Sequence, residues 1–296
     1  MYFKKLEALS GFLDFIREKF NLHVVINDFN TFLDSEKSAV LFLSGHMVHH
    51  NPYCMYIKSN KELWNKCYAD KKTAMERCAC ANEVFCTTCH AGVTEYIIPV
   101  SHHGRVIAFM SVGAFMNNAR FTDELTGMLS RDFNLCEDKL REYYNGSLTD
   151  GIAEIELIRS IFNLLAEYIS CVYEEYLLLP HKDATIIKTD EAYALNHIIA
   201  YIRINHKDKI TLKDIALFCH YSPSSVSHFF KKNTGMTIRA YLNMVRIEHA
   251  KRLLAEKRIT VNDIAYETGF NDADYFSKVF GELCGMSPTK YRESIL

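Results

Sequence analysis

Six of the ten cysteines, Cys54, Cys67, Cys78, Cys80, Cys86 and Cys89, fall within one short stretch, and the last of them is followed directly by His90. Thiolate sulfur and imidazole nitrogen are the donors that Zn²⁺ and iron–sulfur clusters take, about four at a time. Cys54, Cys67, Cys86, Cys89 and His90 are therefore candidate metal ligands. The Cys86-Thr-Thr-Cys89 spacing also suits a redox-responsive thiol pair, because such spacing can lower a thiol pKa. Cysteines that simply fill apolar space are the third reading, and residue types alone leave all three open. Cys86-Thr-Thr-Cys89-His90 matches the attachment motif of c-type haem, but that attachment needs export, and the N-terminus lacks the apolar core of a signal peptide. A zinc deaminase is disfavoured because no His-x-Glu precedes the cysteines. Without a signal peptide, or an apolar run of about 18 residues to span a membrane, a cytoplasmic, reducing location is expected. There, clustered cysteines more often serve metal or redox chemistry than disulfides.

A second constellation lies near the C-terminus. Ile210-Thr-Leu-Lys-Asp-Ile-Ala216 recurs as Ile259-Thr-Val-Asn-Asp-Ile-Ala265, and the echo continues through Phe230/Phe280, Gly235/Gly285, Met236/Met286 and Tyr241/Tyr291. Each copy reads as helix, turn, helix. Thr211 with Asp214, and Thr260 with Asp263, have the spacing of a capping box. The first helix ends at His220 or Gly269, types that tolerate the left-handed conformation. Ser222-Pro223 supplies an N-cap and a proline at the first helical position of the second helix; Asn271 or Asp272 caps its counterpart. Val226 and Phe230, like Phe276 and Phe280, are four apart and belong inside. Ser224, Ser225, His228, Asp274 and Lys278 are left outside. Ile238 to Leu254, free of Gly and Pro, reads as one helix that holds the units apart.

A helix-turn-helix unit lays its second helix in the major groove of double-stranded DNA. The repeated frame, with Tyr241-Leu-Asn-Met-Val-Arg246-Ile-Glu-His-Ala250-Lys-Arg-Leu253 between the copies, resembles the DNA-binding domain of AraC-type transcription regulators over about residues 195–293. That resemblance implies base-reading roles for Ser224, Ser225, His228, Asp274, Ser277 and Lys278, with Arg246 as a structural or phosphate contact. The family often has Arg where this chain has His228, which makes contact there weaker or sensitive to pH.

Charge is segregated to match. Residues 195–296 carry 15 Lys/Arg against 10 Asp/Glu, and residues 1–194 carry 19 against 26, so the overall net charge of −2 hides a basic end and an acidic one. A basic end is what a polyanion attracts. At 296 residues, with 49% hydrophobic and 24% charged side chains, the chain is long enough for about two globular domains.

The N-terminal part must position the cysteines. Leu22 to Ile26 is a β-branched run, and Tyr96–Val100 and Val106–Val112 flank Ser-His-His-Gly as a hairpin. Thr149 to Leu179 has apolar residues at three- and four-residue steps, stopped at Pro180; its stripe either packs on its own domain or forms a dimerising coiled coil. An α+β fold is expected: an antiparallel sheet with helices on one face, a connecting helix, and an all-α double helix-turn-helix domain. The expected segments are 1–145, 146–193 (with a linker at His181–Thr189) and 194–296.

Asn51-Pro-Tyr-Cys54, Trp64-Asn-Lys-Cys67-Tyr-Ala-Asp70 and Cys86-Thr-Thr-Cys89-His90-Ala-Gly92 resemble the PocR-type sensory domain over roughly residues 8–145. That resemblance implies a PAS-like fold and a small effector such as a diol. Trp64, His90, Tyr96 and Met110 are candidate ligand contacts. The resulting expectation is a non-enzymatic, ligand-, metal- or redox-controlled transcription regulator that dimerises. The alternative is a cysteine-based metal or redox protein fused to a DNA-binding module.

Overall fold

The computed structural model describes residues 2–29, 32–33, 43–150, 155–179, 189–255 and 259–295. Two compact units divide the chain, 1–196 and 197–296.

In the first unit, helix α1 (Tyr2–Phe20) leads into strand β1 (His23–Asp28), followed by helices α2 (Pro52–Lys58) and α3 (Lys61–Ala81). Strands β2 (Phe85–Thr88), β3 (Thr94–His102) and β4 (Arg105–Phe115) come next, then α4 (Asp123–Phe133), α5 (Glu137–Ser147) and α6 (Ile155–Leu177). The sheet is antiparallel with strand order β1-β4-β3-β2. His102 pairs with Arg105 across the turn His103-Gly104, whose φ values of 48° and 77° are those of a tight hairpin turn.

Strand alternation gives the sheet two faces. Val24, Ile26, Ile98, Val100, Met110 and Val112 pack with Leu6, Leu9 and Leu13 of α1 and Phe162, Leu165, Ile169 and Val172 of α6. On the opposite face, Ile97 and Phe109 join Cys78 of α3 and Phe85. Helices therefore cover both faces, not one as expected, because both sets of alternate residues in β4 are buried.

The long helix also differs from expectation. Thr149 bridges Phe115 at the sheet, its N–H donating to the Ala114 carbonyl at 3.0 Å, so Thr149 belongs to the sheet and not to the helix, which is described over Ile155–Leu177. Its apolar stripe packs in the core of this unit, which makes α6 part of the domain and not a free connector. Residues 151–154 of the expected helix and the linker read after Pro180, up to residue 188, lie outside the described residues.

Helix α7 (Thr189–Ile204) spans the division between the units. The second unit continues with α8 (Leu212–Phe218), α9 (Pro223–Thr234), α10 (Ile238–Leu254), α11 (Val261–Glu267), α12 (Ala273–Cys284) and α13 (Pro288–Ile295). The local signals operate as read. Thr211 and Asp214 form the reciprocal capping box, Ser222 accepts from the Ser225 N–H, and Asp272, of the two candidates, caps α12. His220 and Gly269 take φ values of 60° and 92°. Val226, Phe230, Phe276 and Phe280 are buried.

Candidate functional site

The cysteine-rich motifs are built from local geometry. Asn51 caps α2, its side-chain oxygen accepting from the Cys54 N–H at 2.8 Å while its amide nitrogen reaches Cys54 Sγ at 3.3 Å; Pro52 occupies the first turn. Cys67 and Asp70 lie three apart on α3 and share a face. Cys89 to Val93 forms the turn between β2 and β3, closed by Cys89 N–H to the Val93 carbonyl (2.9 Å) and Gly92 N–H to the Cys89 carbonyl (3.0 Å). Gly92 has φ 78°, and an added Cβ would stand 3.2 Å from Leu125, which accounts for the glycine in Cys-His-Ala-Gly.

These elements converge on a cavity of about 80 Å³. A single water needs roughly 10–15 Å³, so a small organic molecule or a few waters fit. The sheet contributes Val25, Asn27, Glu95, Phe109 and Ser111; the helices contribute Cys54, Lys58, Cys67 and Asp70; and the turn contributes Cys89. Lys58 Nζ donates to the His49 carbonyl at 2.7 Å, and His49 Nε2 stands 2.7 Å from Glu95 Oε1. At the β2–β3 turn, Asp70 Oδ2 lies 2.6 Å from His90 Nδ1 and accepts from the His90 N–H at 3.1 Å. Burial alone would raise the Asp70 carboxyl, yet these two bonds hold it below its ordinary value.

Burial pushes the Cys54 thiol up to about 11 and Cys67 to about 12, with Lys58 partly opposing both. Cys89 is raised well above the ordinary thiol value, first by burial and then by its neighbours Cys67 and Cys54. A redox-responsive pair requires a lowered thiol pKa, and burial moves both Cys86 and Cys89 the other way. All ten cysteines are free thiols.

The structure separates the candidates. Cys54, Cys67 and Cys89 line one cavity, whereas Cys86 projects to solvent from β2 and does not join them. Asp70, Cys89 and His90 each offer one donor atom within 4.8 Å of the others. Tyr96 and Met110 do not line the cavity: both pack with the α1/α6 core. Their chain neighbours Glu95, Phe109 and Ser111 face the cavity instead, because side chains alternate along a strand. Trp64 is buried one turn before Cys67 without lining the cavity. His90 is anchored at its edge by Asp70. The signal missed in the sequence is strand parity, together with the three-residue step from Cys67 to Asp70.

In the second unit, Ser224, Ser225, His228, Asp274 and Lys278 are exposed on α9 and α12, and Ser277 is half-buried. The hydroxyls of Ser224 and Ser225 meet Ser222 Oγ at 3.1 and 2.7 Å. Arg246 serves the structure of this unit, its Nε donating to the His206 carbonyl at 2.7 Å and its Nη2 to the Asp208 carbonyl at 3.0 Å. Tyr275 Oη accepts from Asn243 Nδ2 at 3.0 Å, tying α12 to α10. Leu217 and Tyr266, at equivalent positions of the two copies, are 79% and 59% exposed, a surface pair that hydrophobicity alone would have placed inside.

No helix among the described residues is long and apolar enough to cross a membrane. Residues 5–174 match the model of the sensory domain found in PocR, and residues 215–294 match a helix-turn-helix domain. The regulatory protein PocR of Salmonella typhimurium is 25% identical over 260 residues, 82% of each chain. The HTH-type transcriptional regulator YisR of Bacillus subtilis is 34% identical over 124 residues, so the chain spans 43% of that relative's length and 42% of its own. Among solved structures, the C-terminal domain of the response regulator yesN from Fusobacterium nucleatum is 32% identical, covering 32% of this chain and 93% of that one, with a TM-score of 0.31. The chain belongs to the family that carries the PocR sensory domain, joined here to an AraC-type helix-turn-helix domain, and is a DNA-binding transcription regulator.

Proposed function

We propose that this regulator reads an operator through both helix-turn-helix units and that a small polar molecule in the cavity of the first unit sets its affinity for that operator. The observation that carries this reading is the cavity itself. It lies inside the region matched to a sensory domain, and Glu95, Lys58, Asn27 and Ser111 offer polar groups within mostly apolar walls. Such a lining suits a short diol, which needs a few hydrogen bonds in an apolar space. Control requires the ligand to bind the DNA-competent and DNA-incompetent states unequally.

Ser224, Ser225, His228, Asp274, Ser277 and Lys278 are proposed as base-reading positions: all lie in the first halves of α9 and α12, and all but the half-buried Ser277 are exposed. A homodimer acting in the cytoplasm completes the proposal. Anisotropy of labelled operator DNA, with 1,2- and 1,3-diols added to the full chain, tests it. A diol-dependent shift in affinity that disappears in Ser111→Leu, which fills the cavity, is the expected result. Operator affinity indifferent to every diol removes the sensing role.

A further inference from the structure

We propose that Asp70, Cys89 and His90 form a metal-ion site, completed by Cys67, that takes a borderline-soft divalent cation such as Zn²⁺. The three donor atoms already lie within 4.8 Å of one another. Ligands around a tetrahedral ion with bonds of about 2.0–2.3 Å are separated by roughly 3.3–3.8 Å, so the widest pair of donors draws in by at most about an ångström while Asp70 Oδ2 and His90 Nδ1, 2.6 Å apart, part by somewhat less.

Two rigid elements each deliver a pair. Cys67 and Asp70 project from one face of α3, and both line the cavity beside Cys89. Cys89 and His90 are consecutive on a turn closed by two backbone hydrogen bonds. Asp70 Oδ2 and His90 Nδ1, 2.6 Å apart, share a hydrogen where the cation would sit; when the ion enters, the imidazole carries its one hydrogen on Nε2 and stays neutral, leaving Nδ1 free to ligate.

Binding releases the thiol protons of Cys67 and Cys89 to solvent, since both ligate as thiolates. The filled site, a dication with two thiolates and one carboxylate, carries one net negative charge, and the Lys58 ammonium lines the same cavity. Thiolate and imidazole donors select Zn²⁺ over Mg²⁺ or Ca²⁺. A four-thiolate iron–sulfur cluster fits less well, because Cys86 is exposed on β2 and Cys78 is packed between Phe85, Ile97 and Phe109.

The site stands independently of the sensing reading, and the test keeps them apart. Reduced, metal-stripped full-length protein is titrated with Co²⁺ and then Zn²⁺ against a chromogenic chelator. One Co²⁺ per chain, with a thiolate-to-cobalt charge-transfer band that Zn²⁺ abolishes, is expected. His90→Gln and Cys89→Ser should each weaken Zn²⁺ binding about tenfold or more, whereas Cys86→Ser should bind as the parent does. Absence of the charge-transfer band from the parent protein overturns the site, whatever the variants do, as does equal weakening by Cys86→Ser. Operator affinity measured in the same samples with and without Zn²⁺ scores regulation separately.

Discussion

The carbonyl oxygen of His206 accepts a 2.7 Å hydrogen bond from Arg246 Nε, and it lies 2.5 Å from where a Cβ on Gly269 would stand. One backbone oxygen therefore joins the central helix α10, the turn after α7 and the turn of the second helix-turn-helix unit.

Gly269→Ala should destabilise the protein by about 2–4 kcal/mol, because the methyl group meets backbone atoms at a φ that L residues rarely adopt. Urea unfolding followed by far-UV circular dichroism measures this. A midpoint equal to the parent's would mean that the close approach relaxes without cost.

Arg246→Ala should lose roughly 1–2 kcal/mol, chiefly by removing the donor to the His206 carbonyl, since the Asp208 carbonyl keeps the Ile210 N–H at 2.9 Å. Its operator binding should fall in step with stability, while the ratio of operator to random duplex affinity is unchanged. A collapse of that ratio in folded protein would make Arg246 a base reader.

Lys278→Ala should lower the preference for operator over random duplex by about 1–3 kcal/mol. Equal weakening on both duplexes, with the salt slope reduced by about one, would make Lys278 a phosphate contact instead.

Acid should loosen the second unit through its stacked imidazoles. The rings of His206 and His249 are 4.0 Å apart. Burial, with the neighbouring His206 next, holds His249 at about 4, and burial likewise lowers His206. Both are neutral when folded, whereas unfolded histidine titrates near 6.5. Their contribution is whole above about pH 6.5 and is lost progressively as pH falls toward 4, since the unfolded chain binds the extra protons. Urea midpoints between pH 7 and 5 should decline, and His249→Gln should flatten that decline. An unchanged slope in the variant would clear the pair of responsibility.

Adjacent residues of β4 should behave oppositely. Met110→Ala opens a hole in the α1/α6 core and should cost about 2–5 kcal/mol. Ser111→Leu enters the cavity and should cost less than Met110→Ala while abolishing any diol response. Thermal melts with and without diol separate the two, and equal destabilisation would contradict the assignment of faces.

The second unit was legible because its signals are local. A capping hydroxyl reaches a backbone N–H three residues away, and a left-handed residue ends a helix through its own φ, so Thr211, Ser222, His220 and Gly269 carry their roles within a single turn of chain. The repeat doubled each signal. The hairpin at His103-Gly104 was readable for the same reason.

The cavity of the first unit was not local. Residue types alone identified the cysteines as a group able to bind metal or respond to redox change, but alternation along β3 and β4 says only that neighbours face opposite sides. Which side holds the cavity depends on α1 and α6 filling one face and α2 and α3 covering the other. Packing of those helices brought Cys54, Cys67 and Cys89 together, left Cys86 in solvent and exchanged Tyr96 and Met110 for Glu95 and Ser111. Sequence determined the kinds of donor and the two helix-turn-helix units at the C-terminal end. Tertiary structure decided which donors share a space, because that depends on contacts between segments distant in the chain.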